Sequence, residues 1–509
     1  MICMMSGNFR ACLLVVAALA VGACGSGGQE VADAAADTTP DATIVPPPDL
    51  EQLVEDYENQ LISRDEFRAG IALIPDTDRP STLSGSIDET TLLKLRAQPY
   101  QVEADLSVAE DVILVIEPGV ELVFAFGVSL NVNGRLYAIG SDSSTVVFRA
   151  GPGDFYNAIV LHSGPNQLVS VEFDRGNRNL VAAHPFDTHT LVESARFDAW
   201  VDIAVDQVAS SGLHILRADF GYQTDPADVS GETIRSRNSG VITIEESTFN
   251  YRRGYRDVID LQDCVADYWP VIIHNRFDGG EDDAVDLDAC SAFVIGNHIR
   301  DFTPLDLDTP VGGVNGGGIT GDQVSSKPII INNFIDNCYH GIGFKNGASP
   351  TIYNNTIINS NIGISLYQSA VGQPVPHGVV YNNVLANNLG WLNGGLPQDI
   401  VLNGKWWPSY NQVDDVQATI DARFNITASS GIAYPGDGNS GEQPLVAVID
   451  GVPTLMAGSP GIGTGADTLP LDSATRDQVI EFLRTDFAGN SRAESAGVFP
   501  NIDRGAVQN

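Results

Sequence analysis

Ile273-His-Asn-Arg-Phe277, Ile295-Gly-Asn-His-Ile299, Ile331-Asn-Asn-Phe-Ile335, Tyr353-Asn-Asn-Thr-Ile357 and Tyr381-Asn-Asn-Val-Leu385 are five versions of one phrase. Each has an asparagine two residues from a large apolar residue on either side. The asparagines, Asn275, Asn297, Asn333, Asn355 and Asn383, are 22, 36, 22 and 28 residues apart, so a unit of 22 with insertions of 14 and 6 accounts for the steps. A period of that length, built from short apolar runs with Asn or Gly at the corners, is what one rung of a parallel β-helix needs. Each rung leaves an apolar edge that only the next can cover, so the strands stack in register. Asparagine at a repeated corner is expected to take the left-handed conformation and to hydrogen-bond its copies above and below. A set of β-sandwiches would show hairpin turn pairs and antiparallel alternation instead. The expectation is an all-β chain, a parallel β-helix spanning residues 90–435.

Outward from this core, both ends carry family resemblances. Val115-Ile-Glu-Pro-Gly-Val120, Gly134-Arg-Leu-Tyr-Ala-Ile-Gly140 and Val146-Val-Phe148, following Pro99-Tyr100, resemble the opening coils of bacterial right-handed β-helix repeat proteins. Ser459-Pro-Gly-Ile-Gly-Thr-Gly465, Asp486-Phe-Ala-Gly-Asn-Ser-Arg492 and Asp503-Arg-Gly-Ala506 are similar to the C-terminal segment of many such surface proteins, which implies a cap over residues 436–509. The resemblance implies a right-handed solenoid. Ahead of it, Leu50, Leu53, Val54, Tyr57, Leu61 and Ile62 follow helical spacing, so a short amphipathic helix is expected within residues 49–75. Residues 25–48, rich in Gly, Ala, Asp, Thr and Pro, cannot bury a core and read as a tether. Residues 1–24 read as an export signal: Arg10 precedes the apolar run from Ala11 to Val21, too short to span a bilayer. Its close, Val21-Gly-Ala-Cys24, resembles the lipobox of bacterial lipoproteins, which implies lipidation of Cys24 and, with Gly25 next, sorting to the outer membrane or cell surface.

The 509 residues include 27 basic and 65 acidic side chains, a net charge of -38, which disfavours nucleic acid and anionic membrane surfaces as partners. Membrane attachment is expected only through the lipid at Cys24. An anionic ligand needs a cation or a local basic cluster to reverse the potential. Lysine occurs only at Lys94, Lys327, Lys345 and Lys405. Setting aside Cys3, Cys12 and Cys24 leaves three cysteines in the body, of which Cys264 and Cys290 fall at matched positions one coil apart. Neighbours at a strand spacing of ~4.8 Å are within disulfide range, and export permits the bridge; stacked reduced thiols fit the same spacing.

A second repeat identifies where chemistry is expected. Aligning Ile259, Val285, Ile319, Ile342 and Ile364 puts Asp260 level with Asp286, Asp257 with Asp283, and Asp288 with Asp322 and Lys345. Residues 257–288 hold ten acids and a single arginine or lysine, Arg276. Stacked carboxylates ~5 Å apart cost on the order of 3 kcal/mol per ionised pair at an effective dielectric of 20. Several such pairs call for protonation or a bound cation. Ca2+ suits an all-oxygen set, and zinc would want His or Cys. Asp257, Asp282, Asp283 and Asp286 are the expected ligands, with Asp260 pointing inward. On strict alternation Asp283 and Asp286 fall on opposite faces unless a turn intervenes.

The order of one Asp, then Asp282-Asp-Ala-Val-Asp286 a coil later, then Gly341-Ile-Gly-Phe-Lys345 resembles family 9 polysaccharide lyases. That resemblance implies calcium at the four aspartates, Lys345 as the base, and β-elimination in an acidic polysaccharide. Lys345 departs from the pattern by lying two coils beyond the aspartates rather than one. The order also resembles, more weakly, the inverting family 28 glycoside hydrolases at Asp257, Asp282, Asp283 and Lys345, although that family's histidine and arginine would fall at Gly317 and Gly343. A non-catalytic binding or scaffold protein at the cell surface is the third reading. Asp288, Asp322 and His340 along the stripe are candidate substrate contacts. So are Lys405, Trp406 and Trp407, where indole faces beside a cation offer a stacking surface for sugar rings.

Overall fold

A computed structural model describes residues 47–465, apart from 77–78, 186–187, 209–210, 222–230, 239–240, 251–255, 267, 305–315, 370–371, 391–395, 398, 403–417 and 450–451, together with Asp486 and Gly505. The chain is a right-handed parallel β-helix. Each middle coil contributes one strand to each of three faces. One face stacks Ile259–Gln262, Val285–Asp288, Gly317–Gly321, His340–Lys345 and Ile362–Tyr367. The second stacks Val271–Ile273, Phe293–Ile295, Ile329–Ile331 and Thr351–Tyr353. The third stacks Arg276–Phe277, His298–Arg300, Phe334–Asp336 and Thr356–Ile358. The parallel stack already includes Thr82–Ile87, which pairs with Tyr100–Val108, so the solenoid begins ahead of residue 90. Beyond its last parallel strands lies an antiparallel hairpin, Val446–Ile449 with Val452–Leu455.

The N-terminal segment forms two helices rather than one, Leu50–Glu58 and Arg64–Leu73. Leu61 and Ile62 continue the apolar spacing, but Ser63 starts a new helix. Its side chain accepts from the Glu66 backbone N–H, and Glu66 reciprocates to the Ser63 backbone, a closed capping box. Val54, Phe67 and Ile71 then bury against Ile113, Val115, Tyr137 and Ile139 on the outer surface of the first coils.

The repeated asparagines form a buried column at the corner between the second and third faces. The Asn355 Oδ1 accepts from the Asn333 backbone N at 2.9 Å and the Asn333 Nδ2 at 3.0 Å, and Asn333 does the same for Asn297. The column runs on through Asn383 to Asn425 and Asn439. The left-handed residue is not the column asparagine but the one before it: His274, Asn332, Asn354 and Asn382 have φ between 55° and 60°, and Gly296 has 64°. An Asn-Asn doublet therefore divides two tasks, the first residue turning the corner and the second bonding across rungs. Inside the coil, Phe197, Phe220, Phe249 and Phe277 stack with centroids 4.7 Å apart, the rung spacing itself. Cys264 and Cys290 are bridged, with Cα atoms 4.7 Å apart.

The column makes a stability prediction. Asn355→Leu takes the acceptor from the buried Asn333 backbone N–H, while the Asn333 amide keeps the Val294 and Ile331 carbonyls, so the expected loss is about 1–3 kcal/mol. Urea unfolding followed by circular dichroism would measure it; a loss below about 1 kcal/mol, the scale of one ordinary hydrogen bond, would mean water replaces the rung.

Candidate metal centre

The site is built on the first face. Ile259 pairs with Val285, Val285 with Ile319, Ile319 with Ile342 and Ile342 with Ile364, as the sequence alignment expects. These isoleucines and valine point into the core with no exposure. Strand alternation then puts their neighbours outside. One outward column runs Asp206, Arg235, Asp260, Asp286, Thr320, Gly343, Ser365. A second runs Arg237, Gln262, Asp288. Asp260 is thus not directed inward as expected. It lies between two core residues, Ile259 and Leu261, and so must face out, yet surrounding side chains cover all but 2% of it.

Asp283 and Asp286 converge despite their spacing, because the chain bends before the Val285–Asp288 strand begins. The Asp283 Oδ1 accepts from the Gly317 backbone N at 2.7 Å. Its Oδ2 takes the Thr320 hydroxyl at 2.6 Å, and Asp286 Oδ1 is 3.2 Å from that hydroxyl. The Thr320 hydroxyl has one proton and serves one acid at a time. A Cβ at Gly317 would come within 2.6 Å of Asp283 Oδ1 and 2.4 Å of Thr320 Cγ2, so this close approach needs glycine. One rung back, the Asp257 Oδ1 accepts from the Asp283 backbone N at 3.2 Å.

Five acids gather here as two overlapping groups, Asp257 with Asp260 and Asp286, and Asp257 with Asp282 and Asp283. Within each group one oxygen of each carboxylate lies within 4.8 Å of the others. The four expected aspartates are all present, divided between the groups with Asp257 shared, and Asp260 joins them. Burial, then the charges of Asp282, Asp286, Asp283 and Asp260, push the Asp257 carboxyl well above the usual carboxylate range. Burial, with Asp288 and Asp283, does the same at Asp286. Asp260 is pushed up to about 7, chiefly by burial and then by Glu232. The Asp260 Oδ1 has no hydrogen-bond partner. A buried acceptor left orphaned among carboxylates is the arrangement a cation completes. The donors are all oxygen, which fits calcium.

Lys345 ends the stripe on the C-terminal side. Its Nζ is 3.9 Å from Asp322 Oδ2, and its side chain is 24% exposed. Burial works against its charge, but Tyr367, Asp286, Asp288 and Asp322 together outweigh burial and raise its pKa above that of an ordinary lysine. Asp288, raised mainly by burial, stands in the second outward column beside Asp286. His340 begins its strand, paired with Gly317 on the rung before. It is buried, its Nδ1 is 2.6 Å from Ser365 Oγ, and burial lowers its pKa to about 3, which keeps it neutral. Lys405, Trp406, Trp407 and Cys24 lie outside the described residues.

Thr320 and the arginines Arg235 and Arg237 were not singled out by the sequence. Aligning Ile234 with Ile259 would have found both arginines, since Arg235 then falls on Asp260 and Arg237 on Gln262.

Fold and site together define a right-handed parallel β-helix with a buried acidic centre on one face. Residues 233–396 match the family model of the right-handed β-helix region. No curated protein matches the chain. Among solved structures it is similar to the crystal structure of pectate lyase Pel9A, at 14% identity, covering 83% of this chain and 87% of that one, with a TM-score of 0.37. Nothing about chemistry passes between the chains at that score.

Proposed function

We propose that this chain is a calcium-dependent polysaccharide lyase that cleaves an acidic polysaccharide, exported and held at the outer membrane or cell surface through lipidated Cys24. The observation that carries the reading is the set of five converging acids with an orphaned Asp260 oxygen, in one outward stripe with Lys345. Asp257, Asp260, Asp282, Asp283 and Asp286 would hold the ion. Calcium there supplies the positive charge that neutralises a uronate carboxylate and acidifies the adjacent C–H. It also gives a protein of net charge -38 a place to attract a polyanion. The Lys345 amine takes the proton, the bond to the glycosidic oxygen breaks as the double bond forms, the departing oxygen takes a proton from solvent water, and Asp322 stabilises the resulting ammonium.

Inverting hydrolysis wants its two carboxyl groups ~6.5–9.5 Å apart with water between them. Oxygens within 4.8 Å favour a shared ion over that spacing. The test is to incubate the protein with a panel of uronans, with and without calcium, and follow the absorbance of unsaturated products. Calcium-dependent unsaturated ends are expected. Calcium-independent reducing ends would assign hydrolysis instead, and no product from any uronan would leave a binding or scaffold role.

A further inference from the structure

Among the described residues, three arginines in different states stand on the N-terminal side of the acids. Arg235 is fixed: its Nη2 is 2.9 Å from Asp206 and its side chain is 17% exposed. Arg237 and Arg256 are not. The Arg237 Nη2 reaches Asp260 only at 4.0 Å, with the side chain 52% exposed. The Arg256 Nη1 reaches Glu232 only at 3.7 Å, with the side chain 51% exposed. Both acids they face are nearly buried, at 3% and 9%. The two guanidinium groups therefore keep most of their donors toward solvent at the rim of the centre, where a planar fork suits a carboxylate. In a chain this acidic, half-free arginines beside a cation site are where an anion would be drawn. Arg237 lies one rung of ~4.8 Å before the Asp260 level, in the column that continues to Gln262 and Asp288.

We infer that Arg237 and Arg256 each offer an anion contact beside the metal centre, for carboxylates of the sugar units next to the one held over the acids. One uronate carboxylate then sits at the metal centre and those of its neighbours meet the guanidinium groups separately. This rests on the proposed function above. An ion at Asp260 takes up the charge that Arg237 otherwise balances, which releases the guanidinium for the sugar; anion contact and ion are thereby coupled.

The experiment is calorimetric binding of oligogalacturonate and oligoalginate at saturating calcium, with no catalytic readout. Arg237→Gln and Arg256→Gln are each expected to weaken binding about tenfold, the scale of one charge-assisted contact, and to flatten its dependence on salt. Calcium affinity, measured separately, should be retained or rise, since neither residue offers the ion a ligand and Arg237 competes with the ion for the charge of Asp260. Arg237→Lys and Arg256→Lys, which retain the charge beside Asp260 and Glu232 and guard against loss of fold, should recover part of the affinity. Unchanged oligosaccharide binding in the glutamine variants overturns the anion contacts alone. Variants that lose calcium affinity also overturn them, since the arginines would then be setting the acids in place. A wild-type protein that binds neither oligosaccharide overturns the anion contacts and the proposed function together.

Discussion

Calcium is expected to raise the melting midpoint strongly at pH 8 and hardly at all at pH 5. The sign follows from the acids. Asp260 is raised in the folded protein to about 7, chiefly by burial, from an ordinary value of 3.8, and Asp257 and Asp286 are raised as well, burial first in each. Between those values the folded protein holds a proton that the unfolded chain has released, so stability falls as pH rises through this window. For Asp260 the full penalty, present above its folded value, is on the order of 4 kcal/mol. An ion that binds the ionised acids offsets the penalty where it is largest and must displace protons where it is smallest. At a calcium concentration of a thousand times Kd the added stabilisation is about 4 kcal/mol. Asp260→Asn separates the contributions: its metal-free form should be more stable than wild type at pH 8, with a smaller response to calcium. Scanning calorimetry at both pH values is the measurement. An unchanged midpoint at pH 8 would mean that the fold holds these acids protonated and that they serve no ion.

What the sequence made legible was whatever repeats by stacking. Asparagines bond to copies of themselves, so the same residue type recurs at one corner of each rung, and Asn275 to Asn383 marked the period directly. The isoleucine register followed because a slip of one residue would turn every core side chain outward. Less legible was anything decided within a rung. Which member of an Asn-Asn doublet turns the corner is set by backbone geometry, although Gly296 at the first position was the available signal. The direction of Asp260 could have been read from Ile259 and Leu261 on either side, since alternation leaves it no inward place. The convergence of Asp283 with Asp286 depends on a bend that Asp282-Asp-Ala does not announce. Thr320 gives no signal at all until its hydroxyl is seen between two carboxylates.

Lys345→Ala is expected to lower the rate of uronan cleavage about 10²–10⁴-fold, the range for loss of a positioned general base, while leaving the calcium-induced rise in melting midpoint intact. The geometry makes the lysine's basicity conditional. Burial by itself would lower its pKa, and it is Tyr367, Asp286, Asp288 and Asp322 that hold the proton on. With the charge of Asp286 taken up by an ion, and with Asp288 beside that ion, two of the four supports weaken and burial regains weight. On the proposed lyase reading Lys345 would thus be a better base in the calcium-loaded protein than in the metal-free one, which would link the ion to proton abstraction as well as to substrate charge. Two consequences can be measured in the unsaturated-product assay. The rate should rise with pH through the loaded lysine's pKa, because only the neutral amine accepts a proton. Lys345→Arg, which preserves the positive charge but stays protonated throughout the accessible range, should bind oligogalacturonate or oligoalginate as wild type does and be as inactive as the alanine variant. Activity retained in the arginine variant would show that the charge beside Asp322 is what matters and that another group takes the proton.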